Sequence, residues 1–93
     1  MSDVPDYKHI WHGLTPKKRL RLIKGMVKGR RHKFDGDFMV VESGNEFPGK
    51  SLIMHLPSGL WKALSVNFST AKRKLINMCD EERKDTIVWI HEV

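Results

Sequence analysis

Apolar positions along this chain follow two rhythms, one of about 3.6 residues and one of two. Residues 16–28 keep the first. With Leu20 set to zero and about 100° per residue, Leu22, Met26, Ile23 and Val27 fall on an arc from roughly 200° to 340°, whereas Lys24, Lys17, Lys28, Arg21 and Lys18 fall between roughly 40° and 160°. Arg19 alone interrupts the apolar arc. Thr15 before Pro16 supplies a cap and a first helical residue with no N–H to leave unpaired, and Gly29 supplies the left-handed residue that ends the helix.

The rhythm then shortens. Residues 30–34 and 37–43 flank Asp35-Gly36, a pair suited to the type I′ turn of a two-residue hairpin. Residues 43–49 have loop chemistry, residues 50–56 form a further strand, and Pro57 ends it. From Leu60 onward, Trp61, Leu64, Phe68, Ala71, Leu75, Met78 and Cys79 hold one helical phase within about 100°. This predicts a long helix over 59–79, capped by Ser58. Residues 80–85 read as a charged turn, and the β-branched and aromatic residues 86–93 as a terminal strand. The expected fold is therefore α+β, a small antiparallel sheet of three to four strands packed with two helices on one face, in the order α-β-β-β-α-β. Residues 1–93 are expected to make a single domain, with 1–14 as an N-terminal arm docking Trp11 on an α+β core of 15–93.

Length and composition narrow the function classes. Ninety-three residues with 40% apolar content and three Trp support one modest core. A lone cysteine, Cys79, excludes an intramolecular disulfide framework and multi-cysteine zinc modules, and as part of an apolar helix face it should be a buried, unreactive thiol. The longest apolar runs, 38–41 and 87–90, are far too short for a membrane span or a signal peptide, so a reducing, cytoplasmic setting is expected.

Charge changes the picture most. The formal net charge of +6 hides a strong asymmetry: no acid lies between Asp6 and Asp35, while Lys8, Lys17, Lys18, Arg19, Arg21, Lys24, Lys28, Arg30, Arg31 and Lys33 do. All eleven acids and only seven basic residues occupy the remainder. A field of one sign attracts polyanions and speeds their association.

Catalytic chemistry finds little support. His9 and His12 have helical ligand spacing but no further ligand nearby, since His32, His55 and His91 are scattered, so neither a metal nor a cofactor is expected. No glycine-rich phosphate loop or carboxylate pair on an apolar surface stands out. The chain is expected to be a small basic, non-enzymatic protein that binds DNA or RNA mainly through phosphates, using Lys17, Lys18, Arg21, Lys24, Lys28, Arg30, Arg31 and Lys33. A helix followed by strands does not make a helix-turn-helix, so little sequence readout is expected, although Phe34 and Phe38 could stack on bases if exposed. The alternative is a phage-type accessory or inhibitor protein, docking the same basic surface on an acidic groove of a host nucleic-acid-handling enzyme, with Trp11 and Phe47 as partner anchors. Membrane association is not expected, because the basic helix lacks aromatic residues on its apolar face. The terminal strand at 86–93 could pair across a two-fold axis to give a homodimer.

Overall fold

A computed structural model describes residues 11–44 and 48–92. Its elements are α1 (Pro16–Met26), β1 (His32–Asp35), β2 (Phe38–Glu42), β3 (Ser51–His55), β4 (Leu60–Leu64), α2 (Phe68–Asn77) and α3 (Asp80–His91). The α+β class and the antiparallel sheet are as expected. The order, a helix, then strands, then a helix, is roughly as expected; it differs in that the four strands run β1-β2-β3-β4 as an unbroken meander and the chain continues into a further helix in place of a terminal strand.

Two segments differ from expectation for identifiable reasons. Leu60 and Leu64, four apart, fit a helical period and a strand period equally, and they lie on one face of β4 with Lys62 between them. The helix begins only at Phe68, where the Asn67 side chain accepts from Thr70 N at 2.9 Å. Ser58 caps no helix; it sits in the β3–β4 turn, where its hydroxyl donates to the His55 carbonyl and accepts from Leu60 N. Residues 80–91 are helical because the acids read as a turn are a first turn instead: Asp80, Glu81 and Glu82 face the positive end of the helix dipole, and Glu82 reaches back to Cys79 N at 3.5 Å. Cys79 is accordingly an exposed helix-capping residue and is not buried in an apolar face. With residues 86–91 helical, the edge strand proposed to form a homodimer does not exist.

The β1–β2 hairpin also shifts by one residue. Asp35 pairs with Phe38, so the turn is Gly36-Asp37, with φ positive at Gly36 (58°) and not at Asp37. That is the pattern of a type II′ turn, which asks for glycine first.

Strand register sorts the core into two layers, and the helices cover both faces of the sheet where two on one face had been expected. Phe38, Val40, Ile53 and Leu60 point to one face, where they pack with Phe68, Ala71 and Leu75 of α2 and Ile87 and Ile90 of α3. Met39, Val41 and Met54 point to the other and meet Ile23 of α1 and Val27, the residue that follows it. Trp11 joins this second layer; its indole N–H donates to the Leu56 carbonyl at 2.8 Å. Arg19, the cation inside the apolar arc, holds it there, donating to the Trp11 carbonyl at 2.9 Å with its guanidinium 5.3 Å from the ring.

Two long-range contacts fasten α3 to the sheet. Arg83 donates to the Leu75 and Met78 carbonyls at the end of α2 and pairs with the Asp35 carboxylate at 3.3 Å. At the other end of α3, His91 Nε2 lies 3.1 Å from Nδ1 of the buried His55, which Ser58 Oγ also approaches at 2.8 Å. Burial, and after it the charge of His91, holds the His55 imidazole below its ordinary pKa of 6.5, against an opposing pull from Asp37. A base with a depressed pKa in the folded state is neutral there while the unfolded chain still takes up a proton. Its stabilising contribution is complete above pH 6.5 and declines as pH falls from that value to the folded-state pKa. Thermal midpoints measured across that window should fall with pH in the native protein and fall less in His55→Gln; equal slopes would remove His55 as the cause.

Candidate nucleic-acid interface

The basic surface starts on α1. Thr15 caps the helix, its Oγ1 accepting from Lys18 N at 3.3 Å, and burial of Ile23 and Val27 fixes the rotation. Lys17, Lys18, Arg21, Lys24 and Lys28 are all left exposed. Gly29, with φ of 77°, then turns the chain so that Arg30 and Arg31 lead into β1.

Arg31 stands at the corner between the two sides of the sheet. Its backbone N–H and its Nε each donate to the Glu42 carboxylate at 3.0 Å, which holds that carboxyl below the usual range, the backbone bond being the larger cause. Its guanidinium also lies 5.3 Å from the Phe68 ring of α2. Part of its charge is thus already matched, and its position is fixed. On one side of Arg31, Lys24, Lys28, Arg30 and His32 line a shallow depression together with Glu42. On the other side, Arg31 shares a second depression with Lys72 and Arg73 of α2, beside Phe68 and Ile76.

Lys72 and Arg73 were not among the expected site residues. Their signal was present, since α2 contains Lys72, Arg73 and Lys74 and no acid, but it was hidden in a segment whose overall balance is negative. The densest group of acids in that segment lies on α3, at Asp80, Glu81, Glu82 and Asp85. α2 packs over β1 and β2, and α3 over β3 and β4. The asymmetry along the sequence therefore becomes one across the sheet, with basic α2 and the Lys24 and Lys28 side chains of the first basic segment toward the β1 edge and acidic α3 over the later strands.

The structure gathers only part of the expected set. Lys24, Lys28, Arg30 and Arg31 come together. Lys18 and Arg21 line a separate depression on the flank of α1 with Leu14, Leu22, Gly25 and Met26, and Lys17 lines neither. Lys33 is half-buried on the opposite sheet face, paired in register with Val40. Of the two candidate stacking rings, Phe38 is 1% exposed and belongs to the core, whereas Phe34 is 38% exposed on the edge strand. Trp11, 3% exposed, is taken up by the core and offers no ring to a partner, and Phe47 lies outside the described residues, as does His9.

Among the described residues, no cluster of three or more His, Cys, Asp or Glu could hold a metal ion, and no helix is long and apolar enough to cross a membrane. No family model matches the chain, and no curated protein or solved structure shows significant similarity to it.

Proposed function

We propose that this chain is a small, non-enzymatic nucleic-acid-binding protein of the cytoplasm that grips the phosphate backbone with the cations around the β1 edge. One observation carries the reading: the two basic depressions share Arg31, so that Lys24, Lys28 and Arg30 continue into Lys72 and Arg73 across the edge of the sheet. Phosphates are spaced along a strand, and a surface that turns a corner with cations on both sides can follow several of them. Among the described residues no helix projects free of the sheet to enter a groove, since α1 lies against the sheet through Ile23; affinity with little base readout is the consequence. An exposed, unpaired thiol at Cys79 suits a reducing compartment.

The second reading, docking of the same surface on an acidic groove of a nucleic-acid-handling enzyme, would have to do without Trp11 as an anchor, since that ring is buried. The decisive measurement is oligonucleotide affinity over a range of salt concentrations. With about six phosphates engaged, log affinity should fall against log salt with a slope of roughly −4 to −5. A flat dependence, or a lysate partner retained after nuclease treatment with no binding to purified nucleic acid, overturns the proposal.

A further inference from the structure

Resting on the nucleic-acid reading, we infer that this surface is built for unpaired nucleotides, with Phe34 as the ring on which a base stacks and His32 as the group that holds the edge of that platform. Isolated exposed apolar side chains are ordinary, so the exposure of Phe34 alone carries nothing. Its surroundings do. The His32 and Phe34 rings meet in a T-shaped arrangement, with centroids 5.6 Å apart and planes at 84°. His32 is itself fixed: its Nδ1 lies 2.9 Å from the Arg30 carbonyl, which makes that nitrogen the donor. The same imidazole lines the depression shared by Lys24, Lys28, Arg30 and Arg31. An exposed aromatic ring thus sits one ring's distance from the phosphate-binding cations.

That juxtaposition selects among nucleic acids. In a duplex, the faces of the bases are covered by their neighbours, and only phosphates and groove edges are offered to a shallow surface. An unpaired strand can lay its phosphates along the cations and turn a base onto the ring. Phe34 keeps 38% of its surface exposed beside His32, and β1 is an edge strand of the sheet, with no further strand beyond it among the described residues. The shared chemistry is a nucleobase face on a phosphodiester backbone; ribose and deoxyribose strands both supply it.

The test compares labelled oligo(dT), oligo(U) and a duplex of equal length by fluorescence anisotropy at one salt concentration. At least one single strand should bind more tightly than the duplex, and the stronger of the two identifies the sugar. Phe34→Ala should weaken the single-strand complex roughly ten-fold while leaving duplex affinity and the salt slope unchanged. Phe34→Leu, which keeps an apolar side chain without a π face, should behave like alanine, and Phe34→Tyr like the native protein. Phe34 is half-exposed, so these variants should fold, and an unchanged thermal midpoint checks it. Equal or tighter duplex binding, or full single-strand affinity in Phe34→Leu, overturns the inference while the salt-dependent phosphate reading stands. Failure of every oligonucleotide to bind overturns both.

Discussion

Gly59→Ala should destabilise this protein by about 3–4 kcal/mol, well beyond the usual effect of adding a methyl group in a turn. Two effects combine. Gly59 has φ of 74°, a conformation that burdens a non-glycine residue by about 1–2 kcal/mol. A β-carbon built there would also stand 2.5 Å from Cγ of Trp11 and 2.8 Å from Cδ1 and Cδ2 of the same indole. The indole cannot move aside freely, because its N–H is bonded to the Leu56 carbonyl and the Arg19 guanidinium lies 5.3 Å from its ring. Gly29 provides the control. It has nearly the same φ, 77°, but nothing within 4 Å of the added carbon, so Gly29→Ala should show the backbone part alone. Urea denaturation of the two variants separates the terms, and equal losses of stability would show that Trp11 does not press on Gly59.

The second large effect concerns binding. Replacing Lys24, Lys28, Lys72 and Arg73 together with alanine should reduce the magnitude of the salt slope by about 3 and lower affinity by roughly a hundred-fold at low salt. All four side chains are exposed, so folding should be little affected. Lys17, Lys18 and Arg21 serve as the contrast, since they belong to the same basic helix but lie outside the depressions that meet at Arg31. Their triple alanine variant should lose less affinity per charge removed. Native-like binding by the four-residue variant, or an equal loss per charge in both, would detach the interface from the β1 edge.

Much of the first half of the fold was legible because its signals are local. Thr15-Pro16, Gly29 and the phase of Ile23 and Val27 identify α1 without reference to the rest of the chain. Gly36 marked a hairpin, although Asp35-Gly36 and Gly36-Asp37 make different turns and only the pairing of Asp35 with Phe38 decides between them. The second half failed where two periods coincide. Spacing of four at Leu60 and Leu64 suits a strand and a helix, and nothing local reveals that Trp61 turns to the opposite face. Residues 86–90 have strand composition, yet Ile87 and Ile90, three apart, reach the same core from a helix that Arg83 ties to the sheet. The basic surface was legible as charge and not as place. Summing over the segment after residue 34 merged basic α2 with acidic α3, and only their positions over different strands separate them.

The meander has a further meaning for how the chain reaches this state. Every strand pairs with its neighbour in sequence, through two residues between β1 and β2 and through Leu56 to Gly59 between β3 and β4. Loop closure is entropically modest when the closed segment is short, so the sheet can grow hairpin by hairpin without first finding a distant partner. The most distant of the described hydrogen bonds fall on the segments either side of the sheet: Trp11 with Leu56, 45 residues apart, Arg83 with Asp35, 48 apart, and His91 with His55, 36 apart. Each attaches a flanking helical segment to a sheet that can already exist, which makes those segments the last parts to be held and the first that local opening would release.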